Sequence, residues 1–459
     1  MAGGNWQTQN KVRPGVYIRF ATGTAAGLNV GDRGTVTICE PMSWGEVAKV
    51  VEITPDMNLI PVTGYDITAP QNRFLREIFK GTNRTPAPRR VLLWRPPANG
   101  AVAASAPTPA ADTSVAPTPF LVRAAYTGEA GNNIVISIMT ADTDTPAVIV
   151  QTLYSGLVVD EQTVEAWKDL LDNAYVTFHN VEAANEDVLP AARDFALVDG
   201  ANGTVEAAAY ASYLTAIEPY PFDVMIYDGE DVTVQAAMIS FVKRLAEENG
   251  QYVQLVGANM TNPDTRFVTN VASGVVLDDG TELSPAQVTW WVGGALAGAS
   301  YNQSLTYATY PSAVTVTNPM TNSEIIAAIN EGKFVLFAEN GVVKIEYDIN
   351  SLVTYTPEIG RVYRKNRVIR LCNTIANDIY AQFSQNYIGV VNNNDAGRSQ
   401  FRAAIVGYLL EVQATQGIQN FDAEDVEVLA GNEPDAIIVN IAIQAVDAVE
   451  KIYMTIEVS

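Results

Sequence analysis

Between residues 201 and 355 short apolar runs alternate with helical stretches, and that rhythm limits the possible folds more than any other feature of the chain. The runs at 222–227 (FDVMIY) and 252–257 (YVQLVG) carry few polar residues. Strands of that kind belong in a sheet covered on both faces. The stretches between them have helical spacing. Val234, Met238, Phe241 and Leu245 fall on one stripe of a helix expected over 233–249. Ser284 followed by Pro285 marks the start of another, over 285–299. Helices are also expected over 205–218 and 323–331, and Asn340-Gly341 between two apolar runs signals a type I′ hairpin. The expected centre of the molecule is therefore an α/β core.

Around this core the sequence changes character. Residues 1–33 read as an N-terminal arm and flexible lead, 34–95 as a small α/β domain, and 96–119 as a Pro/Ala-rich linker. Residues 120–200 read as a β-rich inserted domain with one helix over 163–173. The α/β core follows over 201–355, and 356–459 form a C-terminal domain. There Val368, Cys372, Ile375, Ile379 and Phe383 recur every three to four residues, a second helix is expected over 399–415, and strands over 436–446 and 450–458 close the chain. The fold class is mixed α/β and α+β, in several domains, as a chain of 459 residues requires.

Both ends alternate with period two. Val16, Ile18 and Phe20 interleave with Tyr17 and Arg19; Ile452, Met454, Ile456 and Val458 interleave with Tyr453, Thr455 and Glu457. Terminal residues fray unless something ties them down. A terminal strand must pair with a sheet of its own chain or of another subunit.

Charge is unevenly spread. The net of −23 divides into 12 basic and 7 acidic residues over 1–95, 8 and 32 over 96–360, 7 and 2 over 361–402, and 1 and 10 over 403–459. The overall balance argues against general nucleic-acid binding, which needs a basic face. Zones of opposite sign suit stacking on copies of the same chain. Only 17% of residues are charged, which fits either surface buried in an assembly or extended polar β surface. The densest basic cluster is Arg361, Arg364, Lys365, Arg367 and Arg370. It fits an acidic protein partner; the alternative is pairing within the subunit.

The chain offers little catalytic chemistry. Its single histidine, His179, lies in the β-rich region and reads as a surface or edge residue. Cys39 and Cys372 sit among apolar residues and read as free buried thiols from a reducing compartment, too few with one histidine for a typical zinc site. There is no phosphate-binding G-x-x-x-x-G-K-[ST] loop and no G-x-S-x-G elbow; Gly293, Gly294 and Gly298 read as close helix packing. Asp228, Glu230 and Asp231 follow an expected strand, where α/β enzymes place ligands, yet a solvated loop explains them as well. No catalytic, cofactor or metal residue is assigned. No apolar run reaches the length of a membrane span, and the N-terminus lacks the apolar region of a signal peptide.

Several stretches, in order, resemble one family. KVRPGVYIRF at 11–20, APRRVLLWR at 87–95, YTG at 126–128 with GNNI at 131–134, RVYRKNRVIRLCNTIANDI at 361–379, NNDAGRSQFRAAIVGYL at 393–409 and the closing run from 418 are similar to contractile tail sheath proteins of phages and phage-tail-like particles, of the type seen in Gram-positive phages and their bacteriocin-like relatives. The resemblance implies a structural subunit with a core of subtilisin-like topology, without proteolysis. It implies stacked hexameric rings in a helical sheath around an inner tail tube protein, with baseplate and terminator proteins as further partners. The site would be a virion tail or tail-like particle assembled in the host cytoplasm. It further implies that Val16, Tyr17, Ile18, Arg19 and Phe20, and Ile452 through Val458, add strands to neighbouring subunits. Arg361, Arg364, Lys365, Arg367 and Arg370 would meet the tube or an adjacent subunit. The other classes open to such a sequence are a soluble α/β hydrolase with a pocket near Asp228 or Glu230, and a surface-layer or adhesin-like structural protein.

Overall fold

The computed structural model describes residues 3–4, 16–17, 33–107, 120–142, 146–180 and 192–457. These pack as two compact units, one of residues 1–38, 74–92 and 217–459, the other of 39–73 and 93–216.

The first unit is built on a largely parallel sheet. Its strands include β1 (Thr35–Cys39), β2 (Arg90–Trp94), β3 (Val224–Ile226), β4 (Gln254–Ala258), β5 (Val268–Val271) and β6 (Lys333–Phe334), in the order β6-β5-β4-β3-β1-β2. β3 pairs in parallel with both β1 and β4, and β4 with β5. All residues of β3, β4 and β5 are buried; β3 is wholly apolar, and the polar side chains of the other two, Gln254, Thr269 and Asn270, are hydrogen-bonded. The expectation of a separate domain over 34–95 does not match this division. β1 and β2 frame the insertion and join the same sheet as β3, because their buried runs need neighbours on both sides.

Helices α1 (Val232–Arg244) and α2 (Pro285–Gly298) accompany the sheet. Asp231 caps α1, accepting from the backbone N–H groups of Thr233 and Val234. Ser284 caps α2 in a reciprocal exchange with Gln287, and Pro285 occupies the first turn. The α2 glycines serve close packing, as expected. A Cβ on Gly294 would stand 2.1 Å from the Ile78 carbonyl oxygen, and one on Gly293 would stand 2.4 Å from Ile226 Cδ1. Asn340 and Gly341 both have positive φ, at 52° and 75°, and join Leu336–Glu339 to Val342–Ile345 in the expected hairpin.

The C-terminal part carries α3 (Asn366–Asn386), α4 (Asp395–Ala414) and the hairpin of β7 (Val426–Ala430) with β8 (Ile437–Ile441). The α3 stripe of Val368, Cys372, Ile375, Ile379 and Phe383 is buried throughout. Ile375, Ile379 and Phe383 pack with Ile405, Leu409, Val412 and Val426, while Val368 and Cys372 pack with Leu352 and Tyr363. The second expected terminal strand is absent among the described residues. Residues 451–457 form no strand, since a strand needs a ladder partner and none of the described residues supplies one there.

The second unit is β-rich. Arg193–Ala196, Ile134–Thr140, Val148–Tyr154 and Leu157–Val164 form one antiparallel sheet, and Ser105–Pro107, Phe120–Ala124 and Val176–Asn180 another. Ile134, Ile136 and Ile138 alternate inward onto a core with Trp44, Val122, Val150 and Trp167. The helix expected over 163–173 is instead the end of a strand followed by a short 3₁₀ turn, Trp167–Asp169. Buried Trp167 anchors that turn, and Asn173 accepts the backbone N–H groups of Tyr175 and Val176 to redirect the chain. The linker expected over 96–119 begins inside this unit, since Ser105–Pro107 pairs with Phe120–Ala124; residues 108–119 lie outside the described residues.

Candidate interaction surfaces

The switch point of the main sheet lies between β1 and β3, where α/β proteins hold ligands beyond the strand ends. The carboxylates there are occupied in holding the fold. Asp228 accepts from Trp290 Nε1 at 2.8 Å, Glu230 accepts from Asn259 Nδ2 at 3.0 Å, and Asp231 caps α1. His179 is an exposed residue on the edge strand of its sheet, with Nε2 2.7 Å from Thr177 Oγ1. Cys39 and Cys372 are both buried and not joined in a disulfide, and burial pushes the Cys372 thiol up to about 12.

The basic cluster is largely turned inward, which corrects the expectation that all five residues face a partner. Arg370 is wholly buried; its Nη2 donates to Asp348 Oδ2 and to the Gln303 carbonyl, each at 2.7 Å. Arg364 is buried and donates to the Ile329 carbonyl oxygen. Arg367 is buried too, and that burial lowers its pKa. Lys365 forms ion pairs with Glu450 and, at 3.0 Å, with Asp447, and lies 4.8 Å from the centre of the Tyr347 ring. Burial opposes its charge, but the two carboxylates outweigh that and hold its ammonium above the ordinary lysine value. Arg361 alone of the five is exposed. Only Arg367 and Arg370 lie in α3, which begins at Asn366; three residues apart, they share the helix face that is buried. Sequence reasoning missed the acidic partners, Asp348 and Glu450, because they lie 22 and 85 residues away from the groups they pair with.

The two ends differ. Val16–Tyr17 forms a short parallel pair with Gly3–Gly4 of the same chain. Ile18, Arg19 and Phe20 lie outside the described residues, as does Val458. At the other end Ile452 and Tyr453 are 77% and 91% exposed, and Met454, Thr455, Ile456 and Glu457 are exposed as well. Four large apolar side chains in five residues therefore stand in solvent. That arrangement is costly for a free monomer.

Sequence models of the phage tail sheath protein central domain match residues 203–351, those of the phage tail sheath C-terminal domain match 360–459, and those of the tail sheath protein Gp18 domain III N-terminal region match 33–85. The crystal structure of a sheath tail protein from Desulfitobacterium hafniense is 34% identical, with a TM-score of 0.80 over 96% of this chain and 99% of its own. The phage-like element PBSX protein XkdK of Bacillus subtilis is 31% identical across the full length of both chains. The helical sheath of the anti-feeding prophage in its contracted state shares the fold, with a TM-score of 0.56 at 12% identity over 97% of this chain and 99% of its own.

Proposed function

Because this chain belongs to the phage tail sheath family and is a sheath subunit, we propose that it polymerises around an inner tail tube as stacked hexameric rings. Contraction of that sheath drives the tube through a bacterial envelope. The observation that carries this reading is the exposed segment Ile452–Glu457, whose side chains alternate as in a strand while no described residue of the chain offers it a ladder.

A neighbouring subunit supplies the missing ladder by strand addition. Backbone hydrogen bonds give affinity that does not depend on side-chain register, so such a link survives rotation of the subunits it joins. Val16–Phe20 contributes the second arm. The extended sheath is then a metastable state, and contraction forms more complementary contacts between subunits. The likeness to a contracted sheath fold and the zones of opposite charge support this. Arg361 is the member of the basic cluster left to meet a tube or neighbour. The sheet of β1 to β6 with its helices supports a subtilisin-like core, and the second unit fits an inserted outer domain. Baseplate and terminator proteins complete the set of partners, and assembly takes place in the host cytoplasm.

Negative-stain microscopy of the purified protein, alone and with its tube protein, tests the reading. Sheath tubes or stacked rings are the expected result. A protein that stays monomeric with the tube protein present sinks it.

A further inference from the structure

The exposed C-terminal segment does not begin where the last strand ends. β8 stops at Ile441, yet the chain stays seated for nine more residues. The Val446 N–H donates to the Gly417 carbonyl at 3.0 Å, and the Gln419 N–H to the Gln444 carbonyl at 3.0 Å. Seating ends at Glu450, whose side chain is only 9% exposed. Its Oε1 accepts from Ser304 Oγ at 2.8 Å and Thr306 Oγ1 at 2.7 Å, and its Oε2 accepts from Lys365 Nζ. From Lys451 on, every described residue is exposed. The Thr306 hydroxyl also accepts the Asp348 N–H, and Asp348 Oδ2 accepts Arg370 Nη2. One chain of hydrogen bonds thus runs from Glu450 to the interior of α3.

The N-terminal side is built alike. Asp223 Oδ2 accepts the N–H groups of Gly34 and Thr35 at 2.9 and 3.0 Å, and its Oδ1 stands 3.3 Å from Arg33 Nη1. That same guanidinium donates to Thr374 Oγ1 on α3 at 3.3 Å. Lys365 is the N-cap of α3 and Thr374 lies nine residues on, about 14 Å along the helix.

We infer that Glu450 is a charged clamp that sets where the C-terminal arm leaves the body, that Asp223 likewise pins Arg33, Gly34 and Thr35, and that α3 is the common mount for both. The C-terminal arm swings from Glu450, not from the end of β8, so its free length is set by one carboxylate. A neighbour pulling on that arm pulls on the N-terminal end of α3, the helix to which Thr374 also ties Arg33. The clamps belong to the single chain, so their test stands apart from any assembly.

Hydrogen–deuterium exchange on the full-length protein at a concentration where it is monomeric decides the matter. In Glu450→Gln the Val446 and Gln444–Glu450 region should exchange at least about tenfold faster, with β3 and β4 unchanged. In Asp223→Asn the Gly34 and Thr35 amides should speed up in the same way while the region before Glu450 does not. Lys365→Glu combined with Glu450→Lys should restore protection at the C-terminal root. Glu450→Asp, which keeps the charge, should give an intermediate effect and serves if the glutamine variant does not fold. Wild-type exchange at the root in Glu450→Gln and Glu450→Asp, or equal loosening of β3 and β4, would overturn the inference.

Discussion

Arg370 and Asp348 form an ion pair sealed from solvent, with side chains 0% and 1% exposed and Nη2 2.7 Å from Oδ2. It ties α3 to the loop after the hairpin of the main unit. Burying two charges is expensive, and their mutual attraction offsets that cost only while both are present. Asp348→Asn should therefore cost about 3–5 kcal/mol of folding stability. Arg370→Met with Asp348→Leu should cost much less than that single change. Urea unfolding of the three proteins reads the difference, and a loss from the single change under about 1 kcal/mol would show that the pair is not desolvated as described.

Two glycines on helices make opposite predictions. Gly294 faces the Ile78 carbonyl oxygen at a distance no Cβ can tolerate, so Gly294→Ala should force α2 off its seat and cost about 1–3 kcal/mol. Gly407, on α4, has nothing within 4 Å of where a Cβ would sit. Gly407→Ala should stabilise by about 0.5–1 kcal/mol through helix propensity alone. Thermal unfolding should shift in opposite directions for the two variants.

The Cys372 thiol, buried and with its pKa pushed up to about 12, has almost no thiolate at pH 8. Cys39 is likewise buried. A thiol-specific disulfide reagent should label neither in the folded protein at pH 8 and both in denaturant. Fast labelling of one thiol under native conditions would mean that its surroundings open readily.

Glu218 is held below the ordinary glutamate value chiefly by its hydrogen bonds with Arg244, with Asn249 adding to the effect. A carboxyl whose folded pKa is depressed contributes stability above its unfolded value of about 4.3 and loses it as pH falls through the folded value. Arg244→Met should accordingly destabilise near neutrality and make no difference well below both values. The pair is substantially exposed, so the effect at pH 7 should stay under about 1 kcal/mol. Urea midpoints of the two proteins across pH 2–7 should converge toward the acid end.

Removal of residues 452–459 should block polymerisation and leave a folded chain, because none of the described residues in that stretch is buried in the body. Circular dichroism and thermal unfolding should match the full-length protein while sheath tubes fail to form with the tube protein. Normal tubes from the shortened chain would remove strand addition at this end from the account.

The order of strands and helices was written in the sequence because it rests on local signals. The stripe from Val368 to Phe383 needs only a period of three to four, the Ser284 cap only its own turn, and the Asn340-Gly341 hairpin only two residues that tolerate positive φ. The strand 222–227 was legible because burial on both faces excludes polar residues. The helix expected over 163–173 failed because local propensity was overridden by Trp167 entering the core and by the neighbouring strand. The sequence by itself also determined that the end of the chain carries an apolar alternation in need of a partner.

Only tertiary structure decided what the basic cluster does. Five cations in ten residues look the same on paper whether they face a partner or an interior. Coulomb attraction acts through space, and the carboxylates that neutralise Lys365 and Arg370 come from distant parts of the chain. The same holds for the clamps at Asp223 and Glu450. Each is an ordinary acidic residue in sequence, and each becomes a fixed point because folding brings donors from across the unit to its two oxygens.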